Sequence, residues 1–188
     1  MKTYIFQAVK ITLLTVLLFG IIYPLFIVGI ATIIGPGAGD GETIQVDGKT
    51  MGFVLIGQSF TSEKYFNSRP SAVKYNAAAT GGSNKGPSNP DYLSQVEGRI
   101  QDILSKNPTL KVNDIPVDLI TASGEGLDPH ISPASARIQI QRIAAARSLN
   151  KQILNHLVDQ FTERPLLGLF GTSKVNVLML NVALDKAK

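Results

Sequence analysis

The chain has 188 residues, with 18 basic side chains against 14 acidic ones and no cysteine. Without Lys2 and Lys10 the balance is 16 against 14, and the remaining charges form no basic stripe. This composition excludes a nucleic-acid-binding surface, and the absence of cysteine excludes disulfides and thiol chemistry.

The first marked feature is a stretch without a charged side chain, which covers residues 11–39. Its densest part, residues 11–34, is mainly apolar with no amphipathic period, so a helix there is apolar on every side. At ~1.5 Å per residue such a helix is ~36 Å long, enough to cross a hydrocarbon layer of ~30 Å. We therefore interpret residues 11–34 as a transmembrane helix.

Two other interpretations of this stretch are weaker. Residues 37–39 are small, as at a signal-peptide cleavage site, but the apolar segment is longer than the ~7–15 residues typical of signal peptides. A buried core helix of this length would be hard to cover with the rest of the chain. Membrane helices tolerate proline, and glycine lets a partner helix approach closely. Gly20, Pro24 and Gly29 are thus candidate packing positions within the membrane.

The flanking charges predict the orientation of the span. Lys2, Lys10 and the terminal amine precede it, and Asp40 and Glu42 follow it. Positive charge stays on the cytoplasmic side, which predicts a single-pass protein of the cell membrane with its N-terminus inside. The predicted parts are a cytoplasmic tail, a transmembrane helix and an extracytoplasmic domain, over residues 1–10, 11–34 and 35–188.

The domain begins with two β-prone runs, Thr43–Val46 and residues 50–56, on either side of an Asp-Gly pair. This arrangement predicts a hairpin with a type I′ turn. A short helix is predicted over residues 61–66. Turn-forming residues then predict a long loop over residues 67–90, of the kind that is usually functional or disordered.

Helices are predicted to dominate the second half of the domain. Asn89, followed by a proline, predicts the start of a helix that ends at Asn107. Ser132, also followed by a proline, predicts a helix that continues to Arg147. Ser148 predicts the cap of a further helix.

Strands are predicted over residues 115–121 and 175–180, and the amides of Asn176 and Asn181 are expected to hold neighbouring loops. Strands at both ends with helices between them indicate an α+β (or α/β) fold. The expected architecture is a domain with helices packed on a small sheet, preceded by one N-terminal transmembrane helix.

Three segments contain more glycine, asparagine and other polar residues than ordinary loops need: residues 57–72, 75–84 and 121–133. Gly81 and Gly86 have the outer spacing of a P-loop, but no lysine follows the second glycine. The glycines around residue 125 lack the third glycine of a dinucleotide-binding fingerprint. A glycine-rich turn before a helix explains the spacing better than a phosphate site does.

Ser123, Asp128 and His130 carry the groups of a hydrolytic triad, but their close spacing disfavours triad geometry. Asp128 and His130 supply only two metal ligands, which are too few for a site. The alternative that stays open is a single-span extracytoplasmic hydrolase that uses Ser123 and His130. Otherwise Asp128 forms a turn with the following proline, and His130 hydrogen-bonds locally.

Three arginines lie on the predicted helix that follows this segment. Arg137, Arg142 and Arg147 lie five residues apart, so they do not share one face, and we expect a solvated surface with one or two salt bridges. Arg69, held before a proline, is a better candidate for a fixed internal or interfacial ion pair.

A series of short motifs runs along the chain behind the N-terminal span. The motifs are Ile56-Gly57-Gln58, Tyr65-Phe66, Arg69-Pro70-Ser71-Ala72, Tyr75-Asn76, Gly81-Gly82-Ser83-Asn84, Ser88-Asn89-Pro90, Asp118-Leu119-Ile120-Thr121-Ala122-Ser123, Gly126-Leu127-Asp128-Pro129-His130-Ile131-Ser132 and Val175-Asn176-Val177-Leu178. In this order they resemble the C subunit of the Kdp-type potassium-transporting ATPase of bacteria. The resemblance runs nearly end to end.

The resemblance implies a subunit with no catalytic site and no cofactor or metal of its own. Its partners would be a channel-like potassium-binding subunit, a P-type ATPase subunit and a small single-span subunit, in contact with membrane lipid and with no nucleic acid. ATP and potassium would be handled by this complex, which imports potassium. The C subunit would support assembly and act as a catalytic chaperone that raises the ATP affinity of the ATPase subunit.

The predicted topology bears on nucleotide binding. ATP is cytoplasmic, whereas residues 35–188 are predicted to lie outside, so direct contact between this domain and ATP is physically awkward. Coupling through the span and the partner subunits is compatible with the topology. We expect the domain to form a cap docked beside the potassium entrance through its glycine-rich loops. The candidate docking residues are Gln58, Arg69, Asn76, Gly81, Gly82, Ser83, Asn84, Ser123, Gly124, Gly126, Leu127, Asp128, Pro129 and His130.

Overall fold

The computed structural model describes residues 2–187, with side chains from residue 3 onward. The chain divides into two compact units, one up to Thr43 and one from Ile44 onward, and each is described by itself.

The first unit is a long helix with an irregular turn near its middle. Helix α1 covers Lys2–Leu17, a π-helical turn covers Leu18–Ile22, and helix α2 covers Tyr23–Ile34. Pro24 has no N–H to donate to the preceding turn, and the π-turn directly before it absorbs that gap. The combined helix, Thr3–Ile34, is long and apolar enough to cross a membrane. A tight turn, Pro36–Gly39, follows, in which Gly37 and Ala38 lie in the left-handed region with φ of 62° and 56°.

The second unit begins with the predicted hairpin, formed by strands β1 (Thr43–Val46) and β2 (Lys49–Phe53). Asp47 and Gly48 both have positive φ, at 50° and 75°, which confirms the type I′ turn. The prediction that the second strand continues to residue 56 is wrong. The chain turns after Phe53, because the Ile56 amide donates back to the Phe53 carbonyl.

Residues 61–66 were expected to be helical, but the structure has only one turn there, closed by the Tyr65 amide donating to the Ser62 carbonyl. A helix over these residues would need the Phe66 amide to donate to the Ser62 carbonyl, but that amide donates to Asn181 Oδ1 at 2.9 Å. The carbonyls of Glu63 and Tyr65 accept from the guanidinium of Arg142. A distant side chain therefore overrides the local preference.

Helix α3 covers Pro90–Lys106 and confirms both predicted ends, with the Asn89 side chain accepting from the Tyr92 amide and Asn107 following the last turn. The strand predicted over residues 115–121 is wrong. The chain forms 3-10 turns at Val112–Asp114 and Val117–Leu119. Pro116 cannot donate to a strand partner, and the amide of Thr121 closes a turn onto the Val117 carbonyl.

Helix α4 covers Pro133–Arg147, capped by Ser132 as predicted, and helix α5 covers Lys151–Gln160. Ser148 does not cap α5. It ends α4 in the left-handed region, with φ of 54°, and the cap of α5 is Asn150, whose side chain accepts from the Gln152 amide.

A small antiparallel sheet has the strand order β3-β5-β4, from His130–Ile131, Lys174–Asn176 and Thr162–Glu163. His130 pairs with Asn176, and Thr162 pairs with Val175. The strand predicted over residues 175–180 is right only to Asn176. There the Asn176 side chain accepts from the Met179 amide and starts helix α6, Val177–Lys186.

The core of the second unit lies where α4, α5 and α6 meet the sheet. Its largest fully buried side chains are Phe66, Ile143, Leu154, Leu180 and Leu184. Helices thus pack on a small sheet behind an N-terminal apolar helix, which confirms the α+β fold.

Candidate functional site

The three glycine-rich segments meet in the folded domain. The Gly57 amide donates to the Leu127 carbonyl at 2.7 Å, and the Gly81 amide donates to the Glu125 carbonyl at 2.9 Å. The Ser123 amide donates to the Pro70 carbonyl at 3.2 Å. We call this meeting point the loop junction, which comprises residues 57–58, 69–84 and 121–130.

Several glycines of the loop junction are required by close backbone packing. A Cβ atom on Gly57 would lie 2.6 Å from the Asp128 carbonyl oxygen, and one on Gly82 would lie 2.6 Å from the Gly124 oxygen. Gly126 has φ of 79°, and a Cβ there would lie 2.6 Å from a methyl carbon of Val73. Close packing of the backbone therefore explains much of the glycine content of these segments.

An ion pair ties the loop junction to the sheet. Arg69 Nη1 donates to Asp128 Oδ2 at 3.0 Å, which confirms the predicted fixed ion pair of Arg69. The His130 amide donates to Asp128 Oδ1 at 2.9 Å, and its imidazole Nδ1 lies 3.4 Å from the same oxygen. Burial alone would raise the pKa of Asp128, but the hydrogen bonds from His130 and the charge of Arg69 outweigh it, and the pKa lies below its ordinary value.

The groups of the alternative hydrolytic site do not assemble into a triad. Ser123 is 4% exposed, and its hydroxyl accepts a hydrogen bond from the Gly126 amide at 3.0 Å. The imidazole of His130 lies between Asp128 and Glu163, and no hydrogen bond joins it to Ser123 in the part of the chain that the structure describes. Within residues 2–187 no group of three or more metal-ligating side chains is found either.

The candidate docking residues differ in accessibility. Those with exposed side chains or backbone are Asn76, Ser83, Asn84 and Gly124. The partly exposed ones are Gln58, Arg69, Gly81, Gly82, Asp128 and His130, and the buried ones are Ser123, Gly126, Leu127 and Pro129. Only the exposed and partly exposed groups can meet a partner directly, so the buried residues shape the surface from beneath.

The structure contains a buried centre of polar side chains that was not predicted from the sequence. Arg142 is only 7% exposed, which corrects the expectation that it lies on a solvated surface. Besides two backbone carbonyls, it donates to Asn67 Oδ1 at 3.1 Å and to Gln139 Oε1 at 2.8 Å. Burial lowers the pKa of Arg142. Ser135, Gln139 and Arg142 are all buried at helical spacing on α4, a pattern that could have marked this face.

The other two arginines of α4 form the expected salt bridges, but only Arg137 is solvated, because the side chain of Arg147 is 16% exposed. Arg137 Nη2 pairs with Asp159 at 2.7 Å, and Arg147 Nη2 pairs with Asp185 at 2.6 Å. The Arg147 guanidinium also lies 4.6 Å from the centre of the Tyr65 ring. These contacts confirm the expected salt bridges, and the expected solvated surface holds for Arg137 alone of the three arginines.

Two asparagines near the end of the chain hold distant segments, as predicted. Asn181 is buried, and its side chain both accepts from the Phe66 amide and donates to the Phe66 carbonyl, each at 2.9 Å. The side-chain Nδ2 of Asn176 donates to the Val54 carbonyl at 2.7 Å. We refer to residues 63–67 with Gln139, Arg142 and Asn181 as the polar centre.

The structure also contains an exposed apolar loop, the second feature that was not predicted from the sequence. Leu166, Leu167, Leu169 and Phe170 are between 64% and 81% exposed, around a tight turn closed by hydrogen bonds between Leu166 and Phe170. We call residues 166–170 the apolar tip. The sequence could have indicated this loop, because large apolar residues cluster around Gly168. A turn at that glycine keeps their side chains out of the core.

Comparison with known protein families matches residues 5–186 to the family described as K+-transporting ATPase, c chain. Curated relatives named potassium-transporting ATPase KdpC subunit include one from Flavobacterium psychrophilum, 53% identical over 98% of each chain. Others are from Bacteroides fragilis, 46% identical over 100% of this chain and 99% of the relative, and from Caldanaerobacter subterraneus, 45% identical over 95% and 92%.

Proposed function

Because the chain belongs to the family of K+-transporting ATPase c chains, we propose that it is a non-catalytic accessory subunit of an ATP-driven potassium import complex. The observation that carries the proposal is the match over nearly the whole chain, which includes both the apolar helix and the α+β domain. The geometry of the domain supports it, because Ser123 and His130 point to different partners rather than to a common substrate position.

In this proposal the helix Thr3–Ile34 is the single membrane anchor in the bacterial cell membrane. Lys2 and Lys10 keep the N-terminus in the cytoplasm, so the domain lies outside. The backbone at Gly29 has open space where a side chain would stand, and Gly20 meets only one carbon of Val16. Both positions, with Pro24 between them, can accept a partner helix within the membrane.

The partners are a channel-like potassium-binding subunit, a P-type ATPase subunit and a small single-span subunit. The apolar tip supports a role in assembly, because exposed clusters of large apolar side chains mark interaction surfaces. Polar contacts with a partner come from the exposed residues of the loop junction, which are Asn76, Ser83, Asn84 and Gly124.

The chain also acts as a catalytic chaperone that raises the ATP affinity of the ATPase subunit. With the domain outside and ATP inside, this action is a coupling between two sites of the complex rather than a direct contact with nucleotide. When the domain is docked on the complex, it would favour the conformation of the ATPase subunit that binds ATP more tightly.

The test is purification of the membrane complex through a tag on this chain. Recovery of a P-type ATPase and a channel-like subunit is expected, and recovery of neither would overturn the proposal. The chaperone role is tested by comparing the KM for ATP of complexes prepared with and without this chain. An unchanged KM in a fully assembled partner complex would overturn that part alone.

A further inference from the structure

A cavity of about 300 Å³ lies between α3, α4 and the segment around residues 59–70. Four basic side chains line it, from Arg69, Arg99, Lys106 and Arg142, against the single acid Asp102. Its size is at the lower end of small-molecule sites, which hold about 300–1,000 Å³. The cavity is therefore small, and its lining has more basic than acidic side chains.

Two of these cations have no carboxylate partner among the described residues. Lys106 pairs with Asp102 at 2.7 Å, and Arg69 pairs with Asp128. Arg99 donates to the Ile120 carbonyl at 2.8 Å, and Arg142 donates to uncharged oxygens. A buried cation is normally neutralised by a nearby anion, because removing charge from water is costly. Arg99 is partly exposed, whereas Arg142 is buried, and the carboxylates of Glu63 and Asp102 act on Arg142 without a direct ion pair. Arg142 is therefore the buried cation that an anion in the cavity would contact directly.

Two buried polar atoms at the cavity also lack a hydrogen-bond partner in the described structure. Asn107 is 5% exposed, and its Nδ2 donates to the Ile103 carbonyl at 2.9 Å while its Oδ1 accepts nothing. The Nε of Arg69 is a buried donor without an acceptor. Buried polar groups are nearly always paired, so one free acceptor and one free donor at the same cavity indicate a missing occupant.

We propose that this cavity binds a small organic anion that carries a hydroxyl or amino group beside its carboxylate or phosphate. The anionic oxygens would neutralise the arginines and accept from Arg69 Nε, and the hydroxyl or amino group would donate to Asn107 Oδ1. The surplus of basic side chains in the same lining disfavours a metal cation in this cavity. This inference does not depend on the proposed function.

The test is calorimetric titration of the full chain, purified in detergent, with glycerol 3-phosphate and with L-malate. Glycerol serves as the neutral control. Saturable binding of at least one of the two anions is expected, weakening as salt is added, with no binding of glycerol. If neither anion binds at millimolar concentration, the cavity holds only water and the proposal is wrong.

Asn107→Asp is the decisive variant, because it keeps the shape of the side chain and places a negative charge at the cavity. Anion affinity should fall by at least about tenfold, as expected for like charges at close range. Asn155→Asp, on the exposed side of α5, is the matched control and should bind like the unmodified chain. Equal binding by Asn107→Asp and the control would overturn the site even if the anion binds elsewhere.

Discussion

The polar centre and the apolar tip reverse the usual distribution of side chains. The polar centre buries an arginine, a glutamine and an asparagine, and each of them hydrogen-bonds within the domain. The apolar tip exposes three leucines and a phenylalanine that find no such cover. Both arrangements oppose the general preference for apolar side chains inside and polar ones outside.

The difference lies in what completes each region. The polar centre is completed by the chain itself, since Arg142, Gln139 and Asn181 take up backbone groups of residues 63–67. The side chains of the apolar tip are exposed, and in the proposed function a partner subunit covers them. The polar centre should therefore control folding, and the apolar tip should control assembly.

The largest expected effect on stability is from Asn181→Ala. This change leaves both the amide and the carbonyl of the buried Phe66 unpaired, and each lost partner costs about 1–3 kcal/mol. The free energy of unfolding, measured by urea titration of the full chain in detergent, should fall by about 2–6 kcal/mol. Asn155→Ala, on the exposed surface of α5, is the control and should cost less than about 0.5 kcal/mol. A loss no larger than the control would break the contrast between the two regions.

A second test asks whether the loop junction behaves like the polar centre. Gly126→Ala places a Cβ against Val73 at a residue with φ of 79°, so the free energy of unfolding should fall by about 1–3 kcal/mol. Gly124→Ala, two residues away, has open space and no positive φ, and it should change stability by less than about 0.5 kcal/mol. Equal effects of the two changes would mean that the glycines serve a surface rather than the packing.

A smaller effect is expected at the ion pair of the loop junction. The pKa of Asp128 is lowered in the folded state, so the carboxylate stabilises the fold above its unfolded pKa of ~3.9, and this contribution disappears as the pH falls through the lower folded value. Asp128→Asn should lower the unfolding midpoint at neutral pH and flatten its decline at acidic pH. The measurement is thermal unfolding at a series of pH values from neutral to acidic. A parallel decline in both proteins would show that Asp128 does not carry the acid sensitivity.

Local signals were sufficient for features that depend on a few neighbouring residues. The Asp-Gly turn and the caps Asn89 and Ser132 were predicted because one side chain or one turn type determines each of them. The apolar helix was predicted because its length and composition need no partner within the domain.

The errors occur where a distant residue competes with the local preference. Residues 61–66 look helical, but Asn181, far along the chain, accepts from the Phe66 amide that a helix would use. Asn176 ends a strand early because its side-chain Oδ1 caps a helix and its side-chain Nδ2 donates to the Val54 carbonyl. The same limit applies to the candidate site, since the sequence shows which loops are rich in glycine but not that they press against one another.

The apolar tip gives the smallest expected effect on stability and the sharpest test of the comparison. The double change Leu167→Gln and Leu169→Gln removes exposed apolar surface without opening a cavity, so the free energy of unfolding should move by less than about 0.5 kcal/mol. Recovery of the partner subunits through a tag on this chain should nevertheless fall several-fold, because a partner loses its apolar contact. Leu93→Gln, at an exposed leucine of α3, controls for a general loss of surface hydrophobicity. If the double variant loses stability but retains its partners, the apolar tip belongs to the fold, and the division between a self-completed centre and a partner-completed tip fails.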